Sequence, residues 1–452
     1  MNLLYIVSKK EFDLTLGRYL QNYCNVFFVT NHPAETIFFQ SNKQQPIDAL
    51  SQITRYPKAQ PDKATELQWQ NILEDVECYK LSSDKTEKKQ IKEFFFNYIG
   101  FLLSIFKENK IDVCLCHERD FIDTACAQIA ANITGCPIYY LSTGFFRGQT
   151  LTVAPERIRF TDCETWEERI SKKLDMPKLA QNLPPKRFPK RPLVDPPVLA
   201  LWLSRVSLSL IPEKKRHLSY LRPKRPMLNR LVHKYKKRKI RSCKQPQRHV
   251  KKPFILVPLQ GNEVLNLVPN PLGIRSMEHL FQLVVDAVEE LNRNRGTGFN
   301  IIFKEHPFRP FVIRDSLAKR YHTRAVFFRK FDMNNLLQQA TMVVTFNSLA
   351  GFEALQGKKP VVMLGPLFYR LKGLVHWPEN LEDLPETIWQ ALNTPIDVKK
   401  LDRLIRYLKI KYEVEANRKD LTDQGLYNIA KKVLARDKRN RFQNWAGKHV
   451  GT

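Results

Sequence analysis

Two stretches constrain this chain more than any others: FNIIFKEHP, from Phe299 to Pro307, and MVVTFNSLAGFEALQGKKPVVMLGP, from Met342 to Pro366. In each, an apolar, β-branched run empties into polar groups, Lys304, Glu305 and His306 in the first and Asn347, Ser348 and then Gly351 in the second. Such a run reads as a strand buried on both faces, the kind found in parallel α/β sheets. Ligands of open α/β sheets bind beyond the carboxyl ends of the strands, and an Asn-Ser-Gly loop opening a helix offers N–H groups to an anion. This half of the chain is therefore expected to bind a nucleotide or a phosphate.

The remaining elements follow the same alternation. Leu3 to Val7 reads as a strand, Phe12 to Tyr23 as a helix and Val26 to Thr30 as a second strand, which begins a parallel sheet. Ser41 to Thr86 is polar and irregular, an excursion with one helix near Ala64 to Val76. Lys88 to Asn109 reads as a long helix whose apolar cluster, Phe94 to Phe106, packs on the sheet, and Ile111 to Cys116 as a buried strand. Pro253 to Leu259 opens a second sheet, leading into Gln260, and Glu278 to Asn294 is an amphipathic helix. Asp332 caps a helix to Gln339, Val361 to Leu364 with Gly365 closes the series of strands, and a basic helical tail runs from Val398. The expected divisions are 1–183, a first Rossmann-like domain; 184–252, a basic insert; 253–395, a second Rossmann-like domain; and 396–452, a helical tail packing across both.

At 452 residues with 43% hydrophobic content, the chain exceeds one ordinary domain and can bury real cores. A formal net charge of +29 leaves nucleic acid, anionic lipid and phosphorylated substrates as partners. No apolar run reaches the roughly 18 residues a spanning helix needs, and Met1 to Val7 is too short for a signal peptide, so a cytoplasmic location is expected. The eight cysteines lie mostly in apolar segments without paired CxxC spacing, which argues against a disulfide framework or a zinc site.

Two further strand exits carry charged groups. His117, Glu118, Arg119 and Asp120 precede an apolar helix from Phe121 to Ile133; capping of the helix explains the carboxylates, and so would a role for Glu118 or Asp120 in orienting an acceptor hydroxyl or acting as a general base. After the strand Pro137 to Leu141 come Gly144 and Arg147, a turn able to present a guanidinium fork to a carboxylate or phosphate, although an ordinary turn with a solvated arginine fits as well. Between Pro184 and Lys252 roughly twenty Lys and Arg stand against Asp195 and Glu213. Amphipathic helices with Trp202 as an aromatic anchor would let this block lie on anionic lipid without spanning it, while a charged linker is the plainer alternative. No RRM, KH or helix-turn-helix signature accompanies the charge, so nucleic acid is not the expected partner.

The order PLQ, then KEHP about forty-five residues later, then NSLAGFEALQGKKPVVMLG and YRLKGL, with GFFRGQTLT in the amino half, resembles the capsule polysaccharide biosynthesis family of retaining β-Kdo glycosyltransferases. The likeness runs through residues 100 to 380, with Phe145 where the family has tyrosine and Gly148 where it has proline. It implies two facing Rossmann-like domains of the GT-B type, needing no metal or cofactor. The implied activity is transfer of Kdo from CMP-Kdo, with retention, to a phosphatidylglycerol-type lipid at the inner membrane, alongside other capsule assembly proteins. By the same resemblance His306 contacts the CMP phosphate or leaving oxygen with Lys304 beside it, and Asn347 and Ser348 meet the phosphate or sugar carboxylate. Gln260, Gly351 and Gly365 line the donor side. Arg147 and Gly144, with Arg119 and Asp120, serve a donor or acceptor carboxylate. Retention asks for a carboxylate near the anomeric centre, and Glu263, one position earlier than the family places it, is the candidate after PLQ. Two other readings remain open: a transferase of polyol phosphate from a CDP-linked donor, and a basic membrane adaptor without catalysis.

Overall fold

The computed structural model describes residues 1–118, 121–155, 163–171, 193–197, 200, 217, 220, 253–262, 264–306, 313, 317, 325–328, 331–418 and 420–434. Most of the basic insert at 184–252, the tail beyond 434, and Arg119, Asp120 and Glu263 lie outside these residues. The chain divides into two compact units, one of Met1–Ile158, Met176–Lys224 and Lys409–Thr452, the other of Arg159–Asp175 and Arg225–Leu408.

The first unit carries strands β1 (Asn2–Ile6), β2 (Asn25–Thr30), β3 (Ile47–Asp48), β4 (Val113–His117), β5 (Ile138–Thr143) and β6 (Thr150–Ala154), with β12 (Glu413–Glu415) returning from the end of the chain. Their order is β12-β6-β5-β4-β1-β2-β3. The five from β5 to β3 are parallel, and β6 and β12 are added at the other edge by antiparallel pairing. Alternation along the strands divides the core. Leu4, Ile6, Cys114 and Cys116 face Phe94, Phe95, Ile99 and Leu102 of the helix Lys85–Glu108. Leu3, Tyr5, Val113 and Leu115 face the helices Lys10–Leu20 and Asp423–Val433.

Two expectations require correction. The excursion from Ser41 to Thr86 adds the edge strand β3 and several short helices beside Lys63–Glu74. A two-residue strand has no readable period; pairing with β2 alone defines it. The stretch from Val398 is not one helical tail but a helix, Val398–Lys411, the strand β12, and a second helix, Asp423–Val433. Val414 pairs with Leu151, far away in sequence, and such a pairing leaves no local signal in three residues flanked by basic helix formers.

The second unit holds a five-stranded, all-parallel sheet of β7 (Phe254–Pro258), β8 (Asn300–Lys304), β9 (Ala325–Phe328), β10 (Met342–Thr345) and β11 (Val361–Met363), in the order β11-β10-β7-β8-β9. One face packs Ile255, Val257, Ile301, Phe303 and Val344 against the helices Met277–Arg295 and Leu384–Asn393. Ser276 caps the first of these by accepting from the His279 N–H, and Gly296 ends it in the left-handed region, at φ 63°. Numbered within its own unit, each parallel sheet reads 5-4-1-2-3, the strand order of a dinucleotide-binding fold. The architecture is thus α/β with two Rossmann-type units.

Candidate functional site

In that strand order the chain reverses direction across the sheet between its first and fourth strands, and the crevice at their carboxyl ends is where such folds take ligands. In the second unit these strands are β7 and β10, followed by Gln260 and by Asn347. The Asn347 N–H donates to Gln260 Oε1 at 3.4 Å, tying the two exits together. Asn347 is 8% exposed, and its Oδ1 is buried with no hydrogen-bond partner among the described residues. Ser348 caps the helix Leu349–Gln356: its Oγ accepts from the Ala350 N–H at 3.2 Å, its N–H donates to Thr345 Oγ1 at 3.3 Å, and its carbonyl accepts from the Tyr369 hydroxyl at 2.5 Å.

Glycine is required at two nearby positions by close approach. A Cβ on Gly351 would collide with the Tyr369 hydroxyl, and one on Gly365 would come within 2.8 Å of the Phe346 ring. Both glycines therefore let the helix and the β11 exit close over the end of β10.

His306 leaves the carboxyl end of β8, the neighbour of β7, and is exposed. It shares the sheet edge with Asn347, two strand spacings or roughly 10 Å away in the hydrogen-bonding direction. Lys304 and Glu305 are buried, and Lys304 Nζ donates to the Glu305 carbonyl at 2.7 Å, so this lysine braces the exit of β8.

The corresponding point of the first unit lies between β1 and β4, and it is filled from within. Asp13, in the first turn of the helix that follows β1, is fully buried and accepts from the N–H groups of Ser8 and Lys9, each at 2.6 Å, and from the Tyr5 hydroxyl at 2.8 Å. His117, the last residue of β4, bonds to Asp13 through Nε2 at 2.6 Å. Burial works to raise the Asp13 carboxyl, but the charge and hydrogen bond of His117, with the two N–H groups, outweigh it and hold the carboxyl below its usual range. Burial, with Asp13 next to it, drives the Tyr5 hydroxyl well above its ordinary value. The N–H groups that would cradle a phosphate at the first strand–helix turn thus already hold a carboxylate.

Glu118 follows His117 at the same edge, its N–H donating to the Leu141 carbonyl at 2.9 Å. The hairpin joining β5 to β6 carries buried Gly144 and exposed Arg147. Its footing is Glu413 of β12, 6% exposed, whose carboxylate accepts from the Phe145 N–H at 3.1 Å, from Thr152 Oγ1 at 2.6 Å and from Thr150 Oγ1. A Cβ on Gly144 would strike Thr150 and that carboxylate, and Gly148 turns the hairpin at φ 73°. Behind Glu413, Lys432 Nζ donates to its carbonyl at 3.2 Å, and burial pulls the Lys432 ammonium down to about 7.

Of the residues singled out in the sequence, the structure brings Gln260, Asn347, Ser348, Gly351 and Gly365 to one crevice and His306 to the same sheet edge. Glu118, Gly144 and Arg147 lie at the carboxyl edge of the other sheet. Asp13 and Glu413 escaped the sequence reading. Asp13 looks like an ordinary first-turn acid, and the partners of Glu413 lie more than 260 residues earlier in the chain.

Residues 205–406 match the family model described as capsule polysaccharide biosynthesis protein. Over 123 residues the chain is 32% identical to the capsule polysaccharide export protein KpsS of Escherichia coli, an alignment covering 26% of this chain and 30% of that one. It is 30% identical over 123 residues to protein FixF of Sinorhizobium fredii (strain NBRC 101917 / NGR234), covering 27% of this chain and 29% of the relative. The chain thus spans less than a third of the length of either curated relative. Among solved structures, Thermosulfurimonas dismutans KpsC, a beta Kdo 2,7 transferase, aligns at TM-score 0.33 and 16% identity over 72% of this chain and 87% of that one. The calicheamicin glycosyltransferase CalG4 aligns at TM-score 0.37 and 12% identity over 97% and 98% of the two chains. At these TM-scores neither likeness bears on function. Residues 205–406 of the chain are thus similar to the capsule polysaccharide biosynthesis family.

Proposed function

We propose that this protein is a glycosyltransferase of capsule polysaccharide synthesis, moving Kdo or a related ulosonic acid from CMP-Kdo to a phosphatidylglycerol-type lipid with retention of configuration. One observation carries the reading: the segment matching the capsule family contains the whole sheet whose reversal point bears Gln260 and Asn347 and whose edge bears His306. The nucleotide is assigned to this unit because the equivalent turn of the first unit is occupied by Asp13.

The chemistry suits these residue types. The donor carries a carboxylate on its reacting carbon and releases a cytidylate anion, so the site needs cationic and N–H donors more than a metal. In this reading His306 meets the phosphate or the leaving oxygen. Arg147, on the hairpin braced by Glu413, takes a carboxylate of donor or acceptor. Glu263, which lies outside the described residues, supplies the carboxylate that retention requires, and Glu118 orients an acceptor hydroxyl or acts as a general base. Among the described residues no helix is long and apolar enough to cross a membrane. The basic segment 184–252, largely outside the described residues, is assigned to the lipid surface on its charge.

A donor panel tests the reading. Release of CMP from CMP-Kdo, without turnover of CDP-glycerol, is expected; the reverse preference would replace it with polyol-phosphate transfer.

A further inference from the structure

The amide of Asn347 is the uncommitted polar group at the reversal point of the second sheet. Its neighbour Ser348 has internal partners for its N–H, carbonyl and hydroxyl, and Gln260 Oε1 holds the Asn347 N–H. The Asn347 side chain is more than nine-tenths buried, its Oδ1 fully enclosed, and it makes no hydrogen bond among the described residues. A buried polar atom left without a partner costs about 1–3 kcal/mol, which is why such atoms are rare away from ligand sites.

The orphaned atom is an acceptor. A phosphate or carboxylate offers acceptors only, and would set its negative oxygens against Oδ1. A hydroxyl or an amino group satisfies it. Resting on the donor reading above, we propose that Asn347 Oδ1 accepts a hydrogen bond from an uncharged O–H or N–H group on the nucleoside part of the nucleotide. The anion is then left to His306. Asn347 becomes a specificity-determining residue rather than a phosphate ligand, which revises the role its sequence context implies. Two nucleoside groups have this chemistry, a ribose hydroxyl and the exocyclic amine of the base.

Calorimetric titration of the full chain with CMP, UMP and 2′,3′-dideoxy-CMP distinguishes them, using the wild type, Asn347→Ala and Asn347→Asp. Alanine is expected to weaken CMP binding about tenfold without lowering the melting temperature, because it removes an unsatisfied group. That loss should vanish for the one analogue lacking the contacted group, dideoxy-CMP for a ribose contact or UMP for a base contact. Aspartate keeps the acceptor and should hold CMP affinity within about threefold, with its melting temperature checked because it buries a charge. An equal loss on all three nucleotides with alanine, or a folded aspartate variant weaker than alanine, would place the phosphate at residue 347, and no loss on any would show that residue 347 touches no nucleotide; each overturns the inference. Wild-type protein that binds none of the three would overturn the donor reading itself, a result distinct from any change between variants.

Discussion

Asn347 and Gln260 are joined by a single hydrogen bond, the backbone N–H of the first to Oε1 of the second at 3.4 Å, across the point where the second sheet reverses its strand order. The bond fixes the turn after β10 to the exit of β7, and with it the direction in which the helix Leu349–Gln356 presents its first N–H groups. Gln260→Leu keeps the size of the side chain and removes the acceptor. It should cost about 1 kcal/mol of stability in urea unfolding and raise the KM for the nucleotide donor several-fold with a smaller effect on kcat.

His306 is exposed and belongs to no core, so His306→Ala should leave the melting temperature within a degree or two. If it stabilises the departing cytidylate, kcat should fall by about 10²–10³, as when one preorganised donor is lost from other sites of developing negative charge. Release of CMP under saturating donor measures this. An unchanged kcat would remove His306 from the reaction.

The strands around this site were legible because each is apolar on both faces. Ile255 to Val257, Ile301 to Phe303 and Val343 to Val344 could hardly be anything but inner strands of a parallel sheet. The polar exits were legible for the same reason, since Asn347 and His306 stand directly after such runs. The bracing groups were not. Asp13 is defined by His117, 104 residues later, and Glu413 by Thr150, 263 residues earlier, and no local pattern encodes either pairing. Lys304, expected beside the phosphate, is buried and its ammonium donates to the carbonyl of the next residue, an arrangement rare for lysine.

The Asp13–His117 pair should be costly to break from one side. Asp13→Ala leaves His117 buried opposite a void and frees two N–H groups, and should destabilise by about 3–5 kcal/mol. Because the Asp13 carboxyl is held below its value of 3.8 in the unfolded chain, its contribution is complete above that pH and is lost as pH falls through the folded value. The wild type should therefore lose more stability than Asp13→Asn as pH falls below 3.8, read by denaturant midpoints.

Lys432 has the opposite signature. Burial lowers its ammonium from 10.5 to about 7, so between these values the unfolded chain binds the extra proton and stability rises with pH. The slope contributed by this one group approaches about 1.4 kcal/mol per pH unit, and Lys432→Met should remove it. Glu413, raised by its burial, contributes below 4.5 and loses that contribution as pH rises through its folded value. Melting temperatures from pH 7 to pH 10 for the wild type and Lys432→Met decide the point; parallel curves would refute it.

The most direct test of the account is analysis of the product formed from CMP-Kdo and a fluorescent phosphatidylglycerol analogue. The account predicts CMP release, a lipid heavier by one Kdo residue and a β-linkage retaining the donor's configuration, with product forming about 10²–10³ times more slowly in His306→Ala. A lipid left unmodified by the wild type, an α-linked product, or a product formed only from a CDP-linked polyol would contradict it.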